Sequence, residues 1–178
     1  AFRRRGLTIP WGAFFAPMRP PEGFYSSLAE AGLTHVELGT ESLCDPQLKR
    51  YGKPFVATDA RVAHESARRA GVHIAHYLLL GGPGEDAQTL NETMERAEEL
   101  ERAVFFAFCG IRIFPHAPLY DLALAEGQIT ADQDLLSPVF YRSRGIGAEE
   151  ILARVKQQAR GRVNWVTGDG GEKTERIV

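Results

Sequence analysis

Three short stretches hold the residues whose types and spacing could do chemistry. The first is Gly81-Gly82-Pro83-Gly84-Glu85, which closes the apolar run Val72–Leu80. Glycines let backbone come close to a ligand, and Pro83 stiffens the turn. A carboxylate such as Glu85 at the following helix start would repel a phosphate; it suits hydroxyls, an amino group or a cationic ligand. The stretch also lacks the Gly-Lys-Ser/Thr of a phosphate-cradling loop and the GxGxxG of a dinucleotide fold. The second stretch is Glu41-Ser42, whose carboxylate could accept hydrogen bonds from ribose hydroxyls with the serine as a second partner. The third is Lys53, a point charge for a ligand carboxylate. Plainer readings stand beside these: a simple strand-to-helix turn for the glycines, and a solvated surface lysine for Lys53.

Other reactive side chains argue for less. His73 and His76 are three apart on an expected strand, so they face opposite sides and cannot simply share a metal. His35, His64 and His116 are scattered and read as core or surface residues. Cys44 and Cys109 lack a CxxC partner, which argues against a closed zinc site. They suggest no disulfide framework either, which fits a cytosolic setting. No nucleophile elbow or Ser-His-Asp spacing is present.

The elements that must position the first three stretches alternate in type. Strands are expected at Leu7–Phe15, His35–Leu38, Val72–Leu80 and Val104–Phe114, the last with Gly110 as a bulge. The unbroken apolar run Val72–Leu80 reads as a strand buried on both faces. A helix opened by Pro20 and Pro21 ends at Gly32, and a short one starts with Asp45 as cap and Pro46 as first residue. Thr58 or Asp59 caps the next, which carries Ala60, Ala63, Ala67 and Ala70 on one side. Asp86 caps a fourth, with Leu90, Met94, Ala97 and Leu100 at helical spacing. Pro118 opens a fifth that Gly127 closes. Glu149–Ala159 is one more amphipathic helix, and Thr167–Thr174 reads as a polar loop or linker. Strand starts at residues 7, 35, 72 and 104 are 28, 37 and 32 residues apart, each pair joined by helix. That is a βα repeat, hence parallel strands with helical crossovers outside. Such folds place sites at the carboxyl ends of their strands. Phe14-Phe15, Glu41-Ser42, Gly81–Glu85 and Ile111–Pro115 all fall on that rim.

The bulk properties exclude several classes. The 178 residues are 44% apolar and 25% charged, ordinary for one globular domain with a real core. A net charge of −2 offers no strong field for nucleic acid or an anionic membrane. Arg3-Arg4-Arg5 is too short to change that. No apolar run approaches ~20 residues, and no signal peptide is visible.

Three motifs in order, GTESLCDPQLKRYGK (residues 39–53), HYLLLGGPGED (76–86) and IRIFPHAPLYDLALAEG (111–127), resemble the second half of a radical SAM domain. The likeness is greatest to the subgroup with a cobalamin-binding domain upstream; it covers about Leu7 to Val139, and Asn164-Trp165 also fits it. The resemblance implies an α/β fold: a partial (β/α)6 TIM-like barrel with strands three to six present, over residues 1–130. Residues 131–178 are then a C-terminal extension of one helix plus a polar tail. The implied reaction is reductive cleavage of S-adenosylmethionine by a [4Fe–4S] cluster, giving a 5′-deoxyadenosyl radical that abstracts hydrogen. The implied partners are a small-molecule substrate and a reductant protein in the cytoplasm, with cobalamin in an upstream domain. Carried over position by position, Glu41, Ser42 and Lys53 would serve the ribose and carboxylate of S-adenosylmethionine. Gly81, Gly82, Pro83, Gly84 and Glu85 would support its adenine, as would backbone around Ile111 and Ile113.

The departures are equally specific. The CxxxCxxC that ligates the cluster is absent, because two cysteines 65 residues apart cannot supply three thiolates. The Gly-Gly-Glu of the second strand is missing, Lys53 stands where many relatives have Arg, and His116-Ala117 replaces the usual Gly-Thr. The expectation is a fragment beginning after the second strand. It would carry half a cofactor site, with no catalytic residue and no metal ligand of its own. Two alternatives stand against it: a degenerate barrel acting as a non-catalytic binding module, and a TIM-barrel-like lyase using Glu37, Glu41 or Lys53.

Overall fold

The computed structural model describes residues 5–7 and 9–169. In chain order the elements are β1 (Trp11–Phe15), α1 (Phe24–Glu30), β2 (Leu33–Glu41), α2 (Asp45–Arg50), α3 (Ala57–Arg69), β3 (His73–Leu80) and α4 (Ala87–Glu98). They continue with β4 (Ala103–Cys109), β5 (Ile111–Arg112), α5 (Pro118–Ala125), β6 (Phe140–Tyr141), α6 (Ala148–Ala159) and β7 (Trp165–Asp169). The main sheet has the order β1-β2-β3-β4-β7, and every neighbouring pair is parallel. α1 packs on β2, α3 on β3 and α6 on β4. This is the alternating α/β wall of a partial TIM-like barrel, with helices outside.

One face of the wall is closed and the other is not. Val36 and Leu38 of β2, Ile74, Leu78 and Leu80 of β3, and Phe105 and Ala107 of β4 are buried beneath the helices. The alternate residues, among them Phe14, Glu37, Tyr77, Phe106 and Phe108, are half-buried or exposed. The expectation of a strand buried on both faces is therefore corrected for β3, which alternates with period two. Its outward positions are apolar because they build an aromatic cluster: Tyr77 lies 5.7 Å from Phe14 and 4.8 Å from Phe106.

Local chemistry explains most boundaries. Asp86 caps α4, its carboxylate accepting from the N–H groups of Gln88 at 3.0 Å and Thr89 at 2.9 Å. Leu90, Met94 and Ala97 then bury one stripe of that helix. Asp86→Ala should cost about 1 kcal/mol, the usual loss for a capping side chain, read as a fall in the thermal midpoint with the fold retained.

Four expectations about element ends are corrected. β1 begins only at Trp11, since Pro10 has no N–H to give the ladder. α1 begins at Phe24, behind Gly23 at φ 69°, so Pro20 and Pro21 precede it rather than open it. Asp45 is the first residue of α2 rather than its cap; its carboxylate instead accepts the Ala57 N–H at 2.7 Å and so caps α3. Asp59, inside α3, reaches back to the N–H of Val56 at 3.3 Å.

Two longer-range corrections matter more. Val104–Phe114 is not one strand. At Gly110, φ 94°, the chain leaves the main sheet, and β5 pairs antiparallel with β6 instead. Past residue 131 the expected helix is present as α6, which joins a large core cluster, but where a polar loop was expected the chain adds β7 at the sheet edge. Residues 167–169 of the expected polar loop lie in β7, and residues 170–174 fall outside the described residues. Among the described residues no helix is long and apolar enough to cross a membrane.

Candidate functional site: a cleft at the carboxyl ends of the strands

β2 ends in an unusual residue. Glu41 has φ 59°, a left-handed conformation that non-glycine residues seldom adopt. The alternation of the strand continues through this kink, so successive side chains point in opposite directions. The Glu41 carboxylate faces outward and meets the Lys53 ammonium at 2.5 Å. Ser42 turns inward, where its hydroxyl bonds Thr93 of α4 at 2.9 Å and accepts the Cys44 N–H at 3.1 Å. Thr40, just before the kink, is anchored in the core. Its hydroxyl shares a 2.7 Å hydrogen bond with His76, and His76 shares a 3.0 Å hydrogen bond with His64. Both imidazoles are fully buried, and burial pushes His76 down to about 3. They read as core histidines, in keeping with the sequence.

α2 and its C-terminal turn hold the glycine loop in place. Gln47 donates to the Pro83 carbonyl at 3.0 Å, and Arg50 donates to the Gly84 carbonyl at 3.0 Å. The Tyr51 hydroxyl donates to the Leu79 carbonyl at 3.0 Å. Gly82 must be glycine for space: an added Cβ would sit 2.4 Å from the Tyr51 ring and 2.6 Å from Ile111. Beneath the loop, the Glu85 carboxylate is fully buried and accepts the N–H of Gly81. Burial pushes Glu85 up to about 7, against the pull of the Gly81 and Gly82 N–H groups.

Between these parts lies a cleft of about 480 Å³, within the range of small-ligand sites. Glu41, Lys53, Arg50, Tyr51 and Pro83 form one side; Ile111, Arg112, Phe114 and the start of α5 form the other. The Arg112 guanidinium lies 4.8 Å above the Phe114 ring. Three cationic side chains against one carboxylate, with an apolar far wall, suit an amphiphilic ligand bearing an anionic group.

Of the residues singled out from sequence, Glu41, Lys53, Pro83 and Ile111 line this cleft. Ser42, Glu85 and Ile113 are buried away from it, and Ile113 spends its N–H on the Val139 carbonyl at 2.8 Å. Gly81 and Gly84, at φ 80° and 70°, shape the loop. Sequence reasoning missed Arg50 and Tyr51, and placed Arg112 and Phe114 on the rim only as part of the range Ile111–Pro115. Each lies inside one of the three quoted motifs, so the signal was position within a motif rather than residue type. Among the described residues, no group of three or more His, Cys, Asp or Glu is placed to hold a metal.

A parallel βα wall with a motif-lined cleft at the strand ends defines part of a TIM-type barrel. No protein-family model and no curated protein matches the chain. Solved structures do. The radical S-adenosylmethionine methyltransferase TsrM from Kitasatospora setae, with cobalamin and a [4Fe–4S] cluster bound, aligns at TM-score 0.74 and 18% identity, over 92% of this chain and 40% of that one. The archaeal Methanocaldococcus infernus Elp3 aligns at TM-score 0.61 and 17% identity, over 91% and 35%. Coproporphyrinogen III oxidase (HemN) from Escherichia coli, a radical SAM enzyme, aligns at 0.56 and 14%, over 88% and 35%. The fold anticipated from the three motifs is thus the fold observed, and the chain spans at most two fifths of each of these proteins.

Proposed function

We propose that this chain is the S-adenosylmethionine-binding half of a radical SAM enzyme. The observation that carries the reading is the cleft itself: Glu41, Lys53, Pro83 and Ile111, drawn from all three motifs, converge at the strand ends of a fold shared with such enzymes. In that class the bound cofactor supplies a 5′-deoxyadenosyl radical once a reduced [4Fe–4S] cluster cleaves it. Here Lys53 would offer its ammonium to the cofactor carboxylate, and Glu41 would accept from the ribose hydroxyls. Ile111, Leu79 and Phe114 would exclude water from the adenine side. The substrate would be a small molecule, electrons would come from a reductant protein in the cytoplasm, and cobalamin, if used, would belong to a separate domain.

The cluster does not fit the residues present. Cys44, before α2, and Cys109, at the end of β4, are both buried and are the only cysteines in the chain. A [4Fe–4S] cage needs converging thiolates. Anaerobic reconstitution of this chain should therefore give no stoichiometric cluster absorbance, and a bound cluster would contradict that reading. The same observation favours a second reading, a non-catalytic binding module on this fold. The lyase alternative has less support, since Lys53 follows α2 and is ion-paired with Glu41.

The ligand assignment is tested by calorimetric titration of the chain with S-adenosylmethionine. Glu41→Ala should weaken binding by about 1–3 kcal/mol, the cost of stranding a polar partner. Unchanged affinity would remove Glu41 from the site, and no binding to the unaltered chain would overturn the proposal.

A further inference from the structure

Every backbone strap on the glycine loop is matched by a named partner, but one side-chain atom is not. From the α2 side, Gln47 and Arg50 hold the carbonyls of Pro83 and Gly84. From the other side, the segment before α6 clamps it: Ser143 N–H donates to the Gly81 carbonyl at 2.7 Å, and its hydroxyl donates to the Glu85 carbonyl at 2.5 Å. Gly145 lies so close that an added Cβ would sit 2.5 Å from the Glu85 carbonyl oxygen. Inside this clamp, one oxygen of the Glu85 carboxylate accepts from Gly81 N–H, while the other, Oε1, is buried without a partner.

We propose that Glu85 is a pH-operated catch for the cleft, its neutral carboxyl closing the Gly81–Gly84 loop and its ionisation releasing that loop beneath Pro83. The neutral acid keeps one oxygen as an acceptor for Gly81 N–H and carries its proton on the other. The carboxylate, in contrast, is a buried charge that the Gly81 and Gly82 N–H groups only partly compensate, which is costly. Swinging out to water relieves the cost and surrenders the bond that closes the loop. The inference concerns the loop and does not depend on which ligand the cleft takes.

The surrounding groups do not cancel the effect. Asp86 is a neighbouring negative charge and raises Glu85 further. The Tyr51 phenol, on the α2 side, is held far above neutrality by burial and stays uncharged. Arg50 is committed to the Gly84 carbonyl, and Arg142 lies against Cys109 at 3.6 Å. Ile151, from α6, is apolar. Glu85 is raised from an ordinary 4.5 to about 7, so the folded chain holds this proton more tightly than the unfolded chain. That stabilisation is complete below about 4.5 and is lost as pH rises through about 7.

The test is amide hydrogen exchange of the whole chain, with the Gly81–Glu85 amides compared against α4 amides as an internal reference. Between about pH 6 and 8, protection of the loop relative to α4 should fall about tenfold, as the linkage relation requires for this shift. In Glu85→Gln, a neutral isostere that can still accept from Gly81 N–H, it should stay flat. An equal fall in the variant would overturn the proposal. A carbon-13 titration of the Glu85 carboxyl in the unaltered chain gives an independent readout. A midpoint near 7 is expected, and one near the ordinary carboxylate value would equally overturn it.

Discussion

Phe105→Ala should destabilise the chain by about 3–5 kcal/mol, the usual cost of emptying a large buried aromatic site. Phe105 occupies the middle of β4, is 2% exposed, and stacks on His76 at 5.5 Å and on Trp165 at 4.6 Å. The ring therefore joins β3, β4 and β7 under the helices, and its loss leaves a cavity bounded by three strands. Total stability of an ordinary domain is only about 5–15 kcal/mol, so the variant sits close to unfolding. Phe106, the next residue, points to the uncovered face and stacks on Tyr77. Phe106→Ala should cost about 1 kcal/mol, because little buried volume is lost there. Urea denaturation of both variants at low protein concentration decides between them. Equal losses would mean that the two faces of β4 are equally packed, contrary to the architecture described.

The contrast between these neighbours also marks where sequence reasoning succeeded and where it stopped. α4 was legible because Asp86, Leu90, Met94 and Ala97 give a cap and a 3.6-residue stripe, both local signals. β4 was legible as a strand, but its two faces were not. An unbroken apolar run has no period, so Phe105 and Phe106 look alike until the helices are placed. β7 was missed because Thr167, Gly168 and Asp169 are turn-forming types; what makes them a strand is register against Ala107, Phe108 and Cys109 of β4. The break at Gly110 was likewise set by a partner about thirty residues on, since Ile111 pairs with Tyr141.

The site divides along the same line. Glu41, Pro83 and Ile111 were found because chain order alone places them on the rim where βα units end, whereas Lys53, which follows α2, was found by its charge and its place in the first motif. Ser42 was placed with Glu41 on the strength of adjacency. Period-two alternation turns the serine to the opposite side, where it bonds Thr93. Glu85 was read as facing a ligand, whereas its carboxylate folds back onto its own loop, which a motif cannot reveal. Tyr51 carries no local signal in the sequence, and only the tertiary contact to Leu79 makes it a wall of the cleft.

The chain in solution should self-associate through the face that carries no helix. Parallel sheets are ordinarily covered on both sides, and this one is covered on one among the described residues. Phe14 is 61% exposed and meets Tyr77, which stacks on Phe106 and Phe108, so rings from β1, β3 and β4 form one apolar area that reaches over β2 at Gly39. Contiguous patches above a few hundred Å² recruit partners. β1 adds a second route, because among the described residues it pairs only with β2 and its other edge has no strand beside it; Pro10 protects that edge only where the strand starts. A second copy can meet both demands at once, covering aromatic rings and pairing an edge. Light scattering at two concentrations should give masses above the monomer that rise with concentration. Phe14→Lys combined with Phe106→Glu should return the chain to monomer mass with its helical signal retained, since neither ring lies under a helix. A monomer with a sharp melt in the unaltered chain would show that this face tolerates water as it stands. An unaltered mass distribution in the double variant would instead move the association to the β1 edge, where charged substitutions at Trp11 and Phe15 would then have to abolish it.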